Sequence, residues 1–527
     1  MSQGVSAGVL PYEAQCLPGM PEWRNGLRWP VNYMGLRQPG IDIALTALRL
    51  IGQVEDRLLR DSLLLVAHRI VPLAIWKMEA AHTAAACPRM SFRTPELAFV
   101  VGQADEPARP AIAEGLVKVA PAGGGLRGFL RRVKWTGAWT PWPKVPLALL
   151  TGEREIASTG SLLLRHQKAT GFQAAFRPAQ DTLLAARRDA SFEPPKTWGP
   201  VIGDLLDQLA ALSGLDQPHR GRLRRSLDAD MTALMAVAGR DMAALRKIRL
   251  PRVLWTATGS KHAPRALGLE VMRRGGEVVR FCHGGTHGLV RSFGQVASLE
   301  LAVSTELVAS SERQAELIRS SGEIELVAPY NPGIQVTAGH GEPTIARFAE
   351  TLPPRRARAR PKVVFVLSPL VEFVAKPASK ILNNVLALDF NAHVLEELRR
   401  LDAEVVCKPH PEGMFPGRLH PLNDPVVPGD TPFAQVVADA DVIVVDQPFS
   451  TAFWQMMSTD RGLVYIDTGL AEFHPELTAA IRSRCQVVEA FVDGDNRFRV
   501  DPAALSAAVE AAATGTVDPG IFNDLHC

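Results

Sequence analysis

The stretch DVIVVDQPFST, Asp441 to Thr451, carries the reading of the fold. Its apolar run ends at Asp446 as a strand does. Pro448 turns the chain, and Ser450-Thr451 opens the next segment as helix-start residues do. PFAQVVADA (432–440) before it reads as a helix; after it come the helix STAFWQMMS (450–458) and the strand GLVYIDTG (462–469). Further out, the strands KVVFVLSPL (362–370) and AEVVCK (403–408) flank the helix NAHVLEELRRL (391–401), and PAALSAAVEAAA (502–513) is a late helix. Alternation of this kind marks a parallel sheet with helices on its faces.

A second run of alternation precedes this one. PRVLWTATG (251–259) and EVVRFCHGGTHG (277–288) are strands running into turns, separated by the glycine-closed helix APRALGLEVMRRGG (263–276). ELVASSERQAELIRSSG (306–322) supplies a strand, a serine cap and a helix. Between the two runs, TLPPRRARARPK (351–362) holds a proline pair and four arginines without apolar periodicity, and reads as a linker. The expected fold class is α/β, two Rossmann-like units facing across a cleft. The expected division is an N-terminal extension (1–200), a first unit (201–350), the linker (351–362) and a second unit (363–527). The extension reads as mixed helical, with a helical stretch near 42–86 and a strand at ELAFVVG (96–102); a further helical stretch near 200–248 opens the first unit.

Bulk composition excludes several classes. The 527 residues are 46% hydrophobic and 21% charged, as in globular proteins, and a net charge of +3 is too small to argue for nucleic acid. Six scattered cysteines form no C-x-x-C pair, so no zinc ribbon or redox motif is expected, and buried reduced thiols suit a cytoplasmic setting. The most apolar stretch, SLLLVAHRIVPLAIW (62–76), is broken by His68 and Arg69 and falls short of the ~20 residues of a spanning helix. It reads as a core helix. The start MSQGVSAGVLPYEAQC has no secretory pattern. A P-loop and a strand-linked G-x-G-x-x-G are both missing, which argues against an ATPase or a nicotinamide enzyme.

Four constellations could carry chemistry. EVVCKPHPEG (404–413) sets Lys408, His410, Pro411 and Glu412 on a stiff turn at a strand's carboxyl end, where a cation and an imidazole can meet an anion. A loop histidine with one backbone partner is the plainer reading. In DQPFST (446–451), Ser450 and Thr451 either cap a helix or offer its N–H groups to a phosphate. In FCHGGTHG (281–288), His283 leaves a strand beside Gly284, Gly285 and His287. A neutral imidazole there suits proton removal from a hydroxyl; with no carboxylate nearby in sequence, no metal is expected. RGFLRRVKWTGAWTPWPK (127–144) mixes cations with Trp135, Trp139 and Trp142, which suits a glycan, a membrane interface or an ordinary surface loop.

Together these motifs resemble GT-B glycosyltransferases of bacterial surface-polysaccharide synthesis. The resemblance is to the transferases of cytidine-activated Kdo and sialic acid, and to the CDP-glycerol glycerophosphotransferases. It rests on His410-Pro411, on Ser450-Thr451 and on the His283-Gly284-Gly285 loop, and covers about 251–512. Two departures stand out: no acidic base motif near 251–290, and a Ser-Thr pair after Phe449 where the family has two serines. The resemblance implies a cytoplasmic, metal-independent transferase without a bound cofactor. It would take a nucleotide-sugar co-substrate, expected to be CMP-linked, and pass Kdo or another ulosonic acid to a glycan or lipid-linked glycan at the inner face of the bacterial membrane. The implied sites are Lys408, His410, Pro411, Glu412, Ser450 and Thr451 on the donor phosphate, and His283 and His410 in proton transfer. Gly284, Gly285, His287, Trp135 and Trp139 fall on the acceptor side. Polyol-phosphate transfer from a CDP-alcohol, a non-catalytic glycan-binding or partner-binding scaffold, and a sugar-nucleotide epimerase stay open on the same residues.

Overall fold

The computed structural model describes residues 12–14, 23–108, 130, 133–134, 136, 142–146, 153–188, 190–355, 358–370, 382–411, 420, 422, 427–515, 517–522 and 524–526. Among the described residues, twelve strands form two six-stranded sheets. The first contains β1 (Arg154–Ile156), β2 (Ala175–Phe176), β3 (Val253–Thr256), β4 (Glu277–Phe281), β5 (Glu306–Ala309) and β6 (Gln335–Ala338), in the order β2-β1-β3-β4-β5-β6, all parallel. The second contains β7 (Lys362–Val366), β8 (Glu404–Lys408), β9 (Val442–Val445), β10 (Gly462–Asp467), β11 (Gln486–Val492) and β12 (Phe498–Val500). Its order is β12-β11-β10-β9-β7-β8, and only β12 runs antiparallel.

The two sheets share one plan. In each, the second strand lies on one side of the first and the third on the other, so the order reverses at β1 and at β7. The carboxyl ends of the strands flanking such a reversal leave a crevice, the usual ligand position in open α/β sheets. β9 shows why these segments become inner strands: all four of its residues are buried, as double coverage by helices demands.

Three expectations need correction. The first sheet takes β1 and β2 from before residue 200, so the first unit begins well inside the stretch assigned to the extension. ELAFVVG is no strand: Pro95–Ala98 is a helical turn, because Pro95 with its fixed φ suits a helix start. The helical stretches are each double. Tyr33–Gly52 and Arg57–Ala86 are separated where Asp56 caps the second, accepting from the Leu59 N–H at 3.0 Å. Trp198–Ala211 and Gln217–Leu245 are separated at the cap Asp216.

The N-terminal helices are a layer of the fold. Leu63, Val66 and Ile70 of the Arg57–Ala86 helix share one hydrophobic cluster with Trp255 and Val278 of the first sheet and with Val363 of the second. Arg265, fully buried, donates to the carbonyl of Leu64 through Nε and Nη2. Asn383 Nδ2 donates to Glu79, and Asn496 Nδ2 to the carbonyl of Trp29, so the layer also grips the second unit. Residues 62–76 lie within a helix buried along most of its length. Among the described residues, no helix is long and apolar enough to cross a membrane.

Candidate functional site

A pocket of about 480 Å³ opens at the carboxyl ends of β7, β8 and β9, where the second sheet reverses. Lys408, His410, Pro411, Ser450 and Thr451 all line it, so residues from two separate motifs meet at one place. Gly429 to Phe433 close one wall, and none of these residues was given a site role from the sequence. Glu412 falls outside the described residues, as do Trp135 and Trp139.

Lys408 is the last residue of β8, and its register against Val366 puts it at the pocket floor. The side chain is only 4% exposed. Its Nζ donates to the carbonyls of Pro409 at 2.9 Å and Gly429 at 2.8 Å. Those bonds use two of three ammonium donors. Burial pulls its pKa below the usual lysine range, and Asp430 nearby opposes that shift. His410 is half-buried beside it, and Pro411 is exposed on the turn.

Ser450 is the N-cap of the Thr451–Met457 helix, its side chain accepting from the Ala452 N–H at 3.2 Å. The capping role is therefore real and leaves the hydroxyl proton to be donated elsewhere. Trp454, buried on the same helix, donates from Nε1 to the Pro448 carbonyl at 2.9 Å and holds the turn. Beneath the pocket, Ser368 Oγ donates to Asp446 and contacts Asn391 Oδ1 at 3.2 Å, all three residues being buried. None of these three was singled out in the sequence; each looks like an ordinary loop or helix polar residue there.

The His283 loop approaches from the first sheet. It follows β4, and Gly284, Gly285 and Gly288 all have φ near +70°, which side chains resist. A Cβ on Gly284 would stand 3.3 Å from Thr451 Oγ1, and one on Gly285 2.3 Å from Ile345 Cδ1. The loop thus lies against the start of the Thr451–Met457 helix, while His283 itself does not line the pocket described above. His283 is about half exposed, with Nδ1 3.9 Å from Glu300 Oε1. That is an ion-pair separation, too long for a hydrogen bond. The His283 and His287 rings meet edge to face, centroids 5.2 Å apart, and His287 Nδ1 lies 3.2 Å from Cys282 Sγ. The donor atoms of His283, His287 and Glu300 fall within 4.8 Å of one another.

Glu300 escaped the sequence reading because it lies in the turn between the Gln295–Leu299 helix and a 3₁₀ segment, far along the chain from His283. It is fully buried. Its Oε2 accepts from the Gly259 N–H at 2.7 Å, and its Oε1 accepts from Thr258 Oγ1 at 3.2 Å.

The units join along a seam beside this loop. Val290 and Phe473 form an antiparallel bridge, Arg291 N donates to the Glu472 carbonyl at 2.7 Å, and His474 N to the Leu289 carbonyl at 2.9 Å. Arg37 and Arg291 both pair with the Glu472 carboxylate, and Gln455 of the second unit donates to the Thr344 carbonyl of the first. Family models, curated proteins and solved structures were all compared with the chain, and none matches.

Proposed function

We propose that the chain is a GT-B-type glycosyltransferase that moves a sugar from a cytidine-nucleotide donor to a surface glycan. One observation carries the reading: the two motifs expected on the donor phosphate, Lys408–Pro411 and Ser450-Thr451, line a single pocket at the reversal point of a parallel sheet. Support also comes from the His283 loop, which abuts the Thr451 end of that pocket from the other sheet.

In this reading the acceptor hydroxyl oxygen attacks the donor's anomeric carbon as the bond from that carbon to the phosphate oxygen breaks. His283 takes the hydroxyl proton, and His410 gives one to the departing phosphate. The third N–H of Lys408 and the Ser450 and Thr451 hydroxyls supply fixed donors to that phosphate, whose worth grows in a pocket with little water. The N-terminal layer holds the acceptor, and the reaction takes place at the inner face of the membrane.

The test is nucleotide release with CMP-Kdo, CMP-sialic acid, CDP-glycerol and UDP-sugars, alongside thermal shifts with CMP, CDP and UDP. The reading expects release from one cytidine donor, a stabilising shift by its nucleotide, and loss of both in His410→Ala. No shift with any nucleotide, or one that His410→Ala leaves intact, overturns it. Phosphorus in the transferred group would move the reading to polyol-phosphate transfer.

A further inference from the structure

We infer that His283, His287 and Glu300 form a binding site for a divalent transition-metal ion, with zinc(II) the best-suited ion. The three side chains come from a loop and a turn far apart in sequence, yet their donor atoms fall within 4.8 Å of one another. Two imidazoles and one carboxylate are a recognised three-ligand set for zinc, which leaves a fourth position for water or a ligand. The same set also suits other borderline ions.

The loop conformation is what makes the set. His283 and His287 stand four apart, the spacing that aligns ligands on a helix, but here no helix is present. Gly284 and Gly285, both at φ +70°, turn the backbone so that the rings converge at 5.2 Å. The outer contacts are those a ligand set needs. The Gly259 N–H and the Thr258 hydroxyl orient the Glu300 carboxylate, and Cys282 Sγ steadies the His287 ring. The half-exposed His283 provides an entry path from solvent.

Two buried arginines test the idea electrostatically. Burial pulls Arg265 down to about 9 and Arg280 to about 10, and the charge of Glu300 opposes the shift in both. Neither guanidinium donates to Glu300. Arg265 donates to the carbonyls of Leu64, Gly259, Leu299 and Ser298; Arg280 donates to Thr256 Oγ1 and the carbonyls of Thr258, Pro264 and Val303. The carboxylate thus has two positive charges close by, while its Oε1 faces the imidazole of His283 at 3.9 Å. The same two positive charges weaken cation binding, so the ion is exchangeable and is removed by chelators, unlike a structural zinc.

The site stands apart from the donor-pocket reading, but a zinc-bound His283 would not be the proton acceptor proposed above, because the ion takes the lone pair of its basic nitrogen. Zinc chloride alone is titrated into the tag-free, chelator-treated full chain, followed by calorimetry and by metal analysis after dialysis; cobalt(II) is added separately for its visible spectrum. The expected result is one zinc per chain and a low-coordinate cobalt band. Affinity falls at least tenfold in His283→Ala and in His287→Ala, and is unchanged in His219→Ala, a partly buried histidine elsewhere that pairs with Asp216. His283 is exposed, so its alanine variant keeps the fold, which circular dichroism checks. Failure to retain stoichiometric zinc, or retention that both variants leave unchanged, overturns the site and leaves the donor-pocket reading untouched. Loss of nucleotide binding in His410→Ala with zinc binding intact separates the two in the other direction.

Discussion

Gly284 and Gly285 have the same φ of +70° but different surroundings, and that contrast gives a residue-scale prediction. A Cβ on Gly285 would overlap Ile345 Cδ1, whereas one on Gly284 would press only on the Thr451 hydroxyl at 3.3 Å. Left-handed backbone costs a side chain roughly 1 kcal/mol, and an unrelieved core contact adds ~1–3 kcal/mol. Gly285→Ala should therefore lose clearly more stability than Gly284→Ala in urea unfolding; equal losses would mean Ile345 yields. The three glycines of this loop were legible in the sequence as a sharp turn. What they turn towards was not, because nothing along the chain says that Thr451 lies beside Gly284.

At the scale of the element, the Thr451–Met457 helix and its cap decide how the pocket is built. The strand before it ends at Val445, Trp454 clamps the Pro448 carbonyl, and Ser450 caps. Ser450→Ala removes an acceptor for the Ala452 N–H and should cost about 1 kcal/mol of stability. If the hydroxyl also meets donor phosphate, nucleotide affinity falls as well, by roughly tenfold for a charge-assisted bond. Chemical denaturation measures the first effect and calorimetric nucleotide titration the second; a stability loss with unchanged affinity would reduce Ser450 to a cap. In the second unit β7 to β10 and the helices between them followed from apolar runs and caps, whereas β11, β12 and the Pro475–Arg484 helix were not read from the sequence. Nor were β1 and β2, since three-residue and two-residue strands carry no usable periodicity.

For the whole molecule, the seam between the units is the feature with a measurable consequence. His526 is buried there. Its carbonyl accepts from the Glu342 N–H at 2.7 Å, and its ring lies under Gly285 and 6.2 Å from the Trp454 ring. Burial lowers its pKa from 6.5 to about 4. A neutral ring is therefore favoured in the folded state. The stability it contributes is full above pH ~6.5 and is lost as pH falls towards ~4, reaching a loss of roughly 2 kcal/mol near pH 5. Urea unfolding of the native chain should weaken over that window more steeply than that of His526→Gln. Parallel slopes would show that His526 is hydrated in the folded protein.

The residues along the chain determined the two runs of strand and helix, the stiff Lys408–Pro411 corner, the Ser450 cap and the buried character of 62–76. All of these are local, because period, capping chemistry and proline geometry act over a few neighbours. Tertiary structure alone decided the rest. It extended the first sheet back to Arg154, folded the N-terminal helices into the core, and set the two phosphate-compatible motifs around one pocket. It also brought Glu300 to the His283–His287 pair, which sequence spacing had left without a carboxylate. The physical reason is common to all four. They depend on which buried surfaces pack together and on how a parallel sheet reverses its order, and both are properties of long-range contacts that no short window of sequence contains.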